Sequence, residues 1–336
     1  HSSAWTYGHE LGRRHLEQTF PNEVTTVSYE NVTEKNIASA MEEAIHAGCN
    51  IIFTTTPTFA QESLRAAITH PEVRILNCSL NTTHRYIRTY YTRMHEAKFL
   101  MGAIAGEMAE NDKIVYIADY PILGTIAQIN AFALGAQMTN PRAKVYLEWS
   151  TLKEQDIEKR IDEIDPNCIS GKDIIVPDDN NHFYGVYHRE SGGGEQKNLA
   201  MPLCHWGKFY EELIRTIMAG NWEQDNDVEK AINYWWGMPT GVVDVICSKK
   251  LPAGTVRLVN VLKHNYKTGQ FHTFTDQMYA QGHILKEKKG ETLSPEEVIE
   301  MDWLAENIIG RIPKIEELQE QAKPVLTQQG IETRKG

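Results

Sequence analysis

Four short stretches carry residues equipped to hold a ligand rather than to react with one. "SSAWTYG" sets hydroxyls beside Trp5 and Thr6, "FTTTP" presents Thr54, Thr55 and Thr56, "IADYP" presents Asp119 and Tyr120, and "CHWGK" places Trp206 at a helix start. In an open parallel sheet, ligands bind beyond the carboxyl ends of the strands, where such loops meet helix N-termini. A flat heteroaromatic molecule held between rings and read by a few hydrogen bonds would use this set, stacking giving affinity and polar partners giving discrimination. The competing role for Trp5, Trp206 and Trp235 is packing between lobes.

Catalytic constellations are missing from the sequence. It has no Gly-x-Ser-x-Gly elbow, no His-Glu-x-x-His and no Gly-x-Gly-x-x-Gly after a strand. The run Gly192, Gly193, Gly194 lacks the Gly-Lys-Ser/Thr ending of a phosphate loop and reads as a turn. The 13 histidines are dispersed, and His9, His15, His95, His188 and His205 read as surface or packing residues. A nucleoside-processing enzyme would have only Asp173 and His205 as acid or base, so no catalytic residue, cofactor or metal is expected.

Composition narrows the field further. A net charge of −11 over 336 residues leaves no basic face for a phosphate backbone, which excludes nucleic acid as a partner. No window reaches the ~18–20 apolar residues of a membrane span, and "FLMGAIAGEMA" reads as a buried helix. Cys49, Cys78, Cys168, Cys204 and Cys247 stand singly, without metal-ligand spacing, and argue mildly against an oxidising compartment.

The elements that must position these residues alternate in the α/β manner. "VTTVSYENV", "NIIFTTT", "VRILNCSL" and "RYIRTYY" read as extended, with helices at "EKNIASAMEEAIHAG", ended by Gly48, at "FAQESLRAAITH" and from Arg93 to Glu110. A second series runs through strand "KIVYIADYP", helix "ILGTIAQINAFALGAQMTN", strand "AKVYLEW", helix "KEQDIEKRIDEI", strand "DIIVP", two strands around the glycine turn, and helix "WGKFYEELIRTIMAG". "TVRLVNVLKHNYKTGQF" reads as a helix, "FHTF" and "GHIL" as a hairpin, and "SPEEVIEMDWLAENIIG" as a helix capped by Ser294, Pro295 and Glu297. Two α/β lobes follow: residues 1–112 with 237–285, and residues 113–236, with 286–336 as a C-terminal helical segment and tail.

"AWTYGHELGRRHLE", "IIFTTT", "YYTRMHEAKFLMGAIAGEMA", "IVYIADYPI", "INAFALGAQMTNPRAKV", "HWGKFYEELIRTIMAGNW" and "YWWGMPTGVVDV" follow one another as in the basic membrane protein family, substrate-binding proteins of ABC transporters related to bacterial purine nucleoside receptors. The resemblance runs from Ser2 to about Pro252 and is looser beyond. It implies a type I periplasmic-binding-protein fold, two doubly wound parallel-sheet lobes joined by hinge strands near residues 112 and 237 and closing over a purine base or nucleoside. Carried over, Trp5 stacks on the base beside Thr6, Tyr120 is the entrance aromatic of the second lobe, Asp173 an acid accepting a base N–H, Trp206 the aromatic before the late helix, and Gly237 with Met238 the returning backbone turn.

Two departures qualify what is implied. Relatives that bind nucleosides carry an Asp after a Gly-Val strand to hold ribose, where this chain has Tyr187 and His188, so a free base such as adenine is expected. The family's central strand before the aromatic loop has no counterpart, so the natural protein is expected to continue before His1 with that strand and a lipoprotein signal or further domain. The implied partner is an ABC transporter permease and the implied location extracytoplasmic, membrane-attached only through an upstream lipid anchor. A purine-sensing regulatory domain in the cytoplasm is the alternative.

Overall fold

The computed structural model describes residues 4–80, 86–173, 183–192, 194–222, 232–288 and 290–331. In chain order the first elements are α1 (Ala4–Thr19), α2 (Ile37–His46), β1 (Ile51–Thr54), α3 (Ala60–Thr69), β2 (Arg74–Cys78), β3 (Arg88–Thr92) and α4 (Met94–Met108). Then come β4 (Lys113–Ala118), α5 (Thr125–Thr139), β5 (Lys144–Trp149), α6 (Ile157–Ile164), β6 (Cys168–Ser170), β7 (Val186–Arg189), β8 (Gln196–Cys204), α7 (Trp206–Met218), β9 (Tyr234–Trp236) and β10 (Val243–Cys247). The chain ends with α8 (Ala253–Lys267), β11 (Met278–Ala280), β12 (Ile284–Lys286), α9 (Pro295–Ile299), β13 (Ile308–Ile309) and α10 (Lys323–Gln329).

Two compact units result, residues 1–92 with 205–236, and residues 93–204 with 237–336. The division expected at residue 112 therefore falls at residue 92, and a further crossing lies at residue 204. The cause is α4, whose helix face is apolar nearly all round, from Ala97 to Gly106, so it must be enclosed. Its cover is α5, equally apolar, and the two cross at backbone contact. A Cβ on Gly102 would stand 1.9 Å from the Phe132 carbonyl oxygen, and one on Gly135 would stand 2.0 Å from that of Phe99. Residues 286–336 also join the second unit, since β13 pairs with β5.

Unit 1 is built on a four-stranded parallel sheet in the order β1-β2-β3-β9. One core cluster combines Ile37 and Met41 of α2 with Phe59, Ala66, Ala67, Val73, Ile75 and Ile87. Helix α2 stops at Gly48, whose φ of +91° suits glycine. "VTTVSYENV" forms no strand: Val27 and Tyr29 are exposed, and an extended stretch without a paired neighbour has no ladder to join. Strand β1 ends the sheet, and among the described residues no strand pairs with its outer edge.

Unit 2 carries a seven-stranded sheet, β10-β8-β7-β6-β4-β5-β13. Its centre is parallel, but β7, β8 and β10 run antiparallel to their neighbours, so this sheet is mixed rather than purely doubly wound. Strands β7 and β8 pair antiparallel on either side of the glycine run, as read from the sequence, with Gly193 itself outside the described residues. The third strand of the series is β6 at Cys168–Ser170, ahead of "DIIVP", most of which lies outside the described residues. The late hairpin is β11 with β12, so "GHIL" holds a strand and "FHTF" does not. Ser294 and Glu297 form the expected reciprocal cap, with Pro295 inside it, though α9 is only 5 residues long.

Candidate functional site

Trp5, Thr55 and Trp206 come together within unit 1. Trp5 sits in the first turn of α1, not on a loop, which corrects the sequence reading; its indole N–H donates to the Thr55 carbonyl oxygen at 2.6 Å. Its ring stacks on Tyr91 at 5.8 Å between centroids and meets Trp206 edge-on at 5.6 Å. Thr6, next along the helix, is exposed. Trp5 itself is half-buried, so part of a ring already fixed in orientation remains open to solvent.

Packing of α1 against α7 builds the rest of this cluster. Gly8 and Gly12 open a notch on α1, where a Cβ at Gly12 would lie 2.8 Å from the Tyr210 ring and one at Gly8 3.2 Å from the Trp206 ring. Between them His9 stacks on Trp206 at 4.2 Å with an interplanar angle of 29°, and its Nδ1 lies 2.5 Å from the Tyr210 hydroxyl. Burial pulls the imidazole down to about 3, so it is neutral near pH 7. Across the same sheet Ser63, Thr54 and Asn77 form a buried polar ladder, Thr54 Oγ1 lying 3.0 Å from Ser63 Oγ and receiving the Asn77 amide at 2.8 Å.

The four remaining candidates lie in unit 2, each engaged there. Tyr120 is half-buried against a cluster of Leu318, Ala322 and Leu326 with Ile122, Leu152 and Ile315. Asp173 Oδ1 accepts from the Lys98 ammonium at 2.5 Å, a side chain only 2% exposed. Burial opposes that ammonium's charge, but the Asp173 carboxylate outweighs it and holds Lys98 above its ordinary value. Tyr116, whose ring centroid lies 5.1 Å from the Lys98 nitrogen, is pushed up by burial to about 12. Gly237 and Met238 form a backbone turn over Glu96, whose Oε2 accepts the Met238 N–H at 2.6 Å. Burial raises the Glu96 carboxyl, partly countered by Arg93 and by that N–H.

The sequence reading missed His9, Tyr210, Glu96 and Lys98 as organising residues. The signal for the first pair was the four-residue spacing of Gly8 and Gly12 around His9, a small-residue ridge made to receive rings. For the second pair it was the two charges Glu96 and Lys98 inside "HEAKFLMGAIAG", because a charge in an enclosed helix needs a partner.

Residues 1–192, more than half of the chain, match the Bmp model, described as ABC transporter substrate-binding protein PnrA-like. The chain belongs to this family. Bmp proteins are substrate-binding and non-catalytic, act outside the cytoplasm, and serve an ABC transporter with a small-molecule ligand. A purine-binding protein of Brucella abortus is 25% identical over 322 residues, 92% of this chain and 90% of that protein. A protein of Haloferax volcanii named as an ABC transporter glucose-binding protein is 26% identical over 250 residues, 71% of this chain and 62% of its own length.

Solved structures agree on the fold of this Bmp chain. An ABC transporter solute-binding protein from Conexibacter woesei has a TM-score of 0.56 at 10% identity, covering 80% of this chain and 93% of its own. A transcriptional activator of the comK gene from Bacillus halodurans has a TM-score of 0.60 at 16% identity, covering 80% and 95%. The fold is therefore that of type I periplasmic binding proteins. No helix among the described residues is long and apolar enough to cross a membrane.

Proposed function

We propose that this Bmp protein binds a purine base, adenine-like, and passes it to an ABC transporter permease. The observation that carries the reading is the Trp5 indole, locked on Thr55 and Tyr91 at the carboxyl end of β1 yet half-exposed, which is the state of a stacking platform. The likeness to a purine-binding protein across nine-tenths of both chains supports the ligand class. A free base is favoured over a nucleoside because Tyr187 and His188 stand where the family resemblance implies a ribose-holding Asp, and Tyr187 packs against the cluster of Val115, Ile161, Ile164 and Ile169. Trp5 is the residue given the stacking role, with Trp206 and Thr55 setting its place.

Calorimetric titration with adenine, guanine, hypoxanthine, their nucleosides and glucose tests this reading. Tightest binding of a free base supports it; binding of glucose with no purine response overturns it. A second reading, a cytoplasmic purine sensor, draws on five cysteines that stand free of disulfides. Purine uptake by vesicles carrying the permease, dependent on added protein, decides for transport; a purine-dependent regulatory output without such uptake decides for sensing.

A further inference from the structure

We infer that His9 determines which purine is accepted, its Nε2–H donating a hydrogen bond to a ring nitrogen or carbonyl oxygen on the edge of the base. The inference rests on the purine reading above and concerns unit 1 alone.

His9 is 5% exposed and enclosed by rings, flat against Trp206 and edge-on to Trp5 at 4.9 Å. Packing of that kind is served as well by Phe or Leu, at no polar cost. An imidazole brings two nitrogens that both need partners. Nδ1 has one in Tyr210, whereas Nε2 is buried and has no hydrogen-bond partner among the described residues. Leaving a buried polar atom unmet costs about 1–3 kcal/mol, a penalty that proteins seldom carry without use. The orphan nitrogen belongs to a ring in contact with the Trp5 indole, the proposed stacking platform.

The hydroxyls behind His9 select the tautomer. The Tyr90 hydroxyl donates to the Thr54 carbonyl oxygen, a long bond at 3.5 Å, because a carbonyl can only accept. Within this cluster Tyr210 reaches the Tyr90 oxygen at 3.2 Å and His9 Nδ1 at 2.5 Å as acceptors for its single proton. The shorter contact to the stronger base wins, and a separation this short suits O–H as donor better than N–H. With Nδ1 accepting, the neutral ring carries its proton on Nε2 and seeks an acceptor. Purine ring nitrogens are such acceptors, and replacing one by C–H removes it while leaving the ring to stack.

The test is calorimetric titration of the unaltered protein, His9→Phe and Tyr210→Phe with adenine and its 1-, 3- and 7-deaza analogues. One analogue is expected to bind the unaltered protein at least 10-fold more weakly than adenine. His9→Phe should bring adenine down to that analogue's affinity while leaving the analogue's own affinity nearly unchanged. Tyr210→Phe, which frees the tautomer, should narrow the gap without abolishing binding. Equal discrimination in folded His9→Phe overturns the inference but leaves the purine reading intact; failure of every purine on the unaltered protein overturns both. Should His9→Phe not fold, long-range ¹H–¹⁵N spectra of histidine-labelled protein decide: adenine must move the His9 Nε2 signal, and an unmoved signal overturns the inference.

Discussion

Glu96 Oε2 accepts the Met238 backbone N–H at 2.6 Å, and its Oε1 lies 3.4 Å from the Arg93 guanidinium. One carboxylate thus fastens the start of α4 to the chain returning after β9, just where two of the crossings enter unit 2. Gly237 leaves room for it, because a Cβ there would fall 2.3 Å from Glu96 Oε2 and force this buried carboxylate to shift. Glu96→Ala should cost about 1–3 kcal/mol by leaving Met238 unmet, and Gly237→Ala a similar amount through the clash. In a double-mutant cycle read by urea unfolding, the pair should cost clearly less than the sum. Simple additivity would show that the two residues do not act on each other.

Trp5→Ala should weaken purine binding by about 1–3 kcal/mol, the worth of one base stacked on an aromatic side chain. Trp5→Phe keeps a ring but loses the bond to Thr55, so it should fall between. Calorimetry distinguishes them, and unaltered affinity in Trp5→Ala would remove Trp5 from the site.

Asp173 offers a choice between two roles. As partner of a Lys98 ammonium that is 2% exposed, it should be needed for stability: Asp173→Asn is expected to cost about 3 kcal/mol by leaving a buried charge uncompensated. Lys98→Met in the same chain should restore much of the loss. If Asp173→Asn keeps full stability and loses purine affinity instead, the carboxylate reads the ligand as the family resemblance implies.

Acid should weaken the fold through His9. Its folded value of about 3 lies below the ordinary 6.5, so the unfolded chain binds the proton more readily between those limits. Stability from this group is complete above pH 6.5 and is lost as pH falls toward 3, with a slope approaching about 1.4 kcal/mol per pH unit. His95, pulled down to about 3 by burial and by Arg93, adds a loss of the same sign. Urea midpoints across this range should fall less steeply in His9→Phe than in the unaltered protein; parallel curves would place His9 in contact with solvent.

The crossing of α4 and α5 should resist any added carbon. Gly102→Ala drives a methyl to 1.9 Å from the Phe132 carbonyl oxygen, and both helices are enclosed, so neither can yield cheaply. A loss of about 1–3 kcal/mol or more is expected by thermal unfolding. A variant as stable as the parent would mean that the helices can part.

Much of this architecture was legible because local chemistry names its own element. Ser294, Pro295 and Glu297 announce a capped helix at any fold position, and "VRILNC" forms an enclosed strand as its apolar run implies, whereas "NIIFT", equally apolar, lies half-buried at the edge of its sheet. What periodicity could not say is which sheet a helix apolar on all sides will join, and so α4 was assigned to the wrong unit. Val24 to Val32 has strand composition, yet a strand exists only when a neighbour supplies its ladder. The family resemblance puts Trp5 on a loop, whereas α1 already includes it, and Gly8 and Gly12, residues that lower helical propensity, here seat the rings of α7. Residue type singles out Trp5, Thr55 and Trp206, which the fold brings together; His9 stays hidden because only the fold leaves one of its nitrogens over.

The outer margin of β1, on which no strand pairs among the described residues, has a practical consequence in the test tube. A row of backbone donors and acceptors beside Ile51, Ile52 and Phe53, all half-buried, is a template on which an extended segment of another molecule can add. Association of that kind grows with concentration, is insensitive to salt and is reversed by mild denaturant.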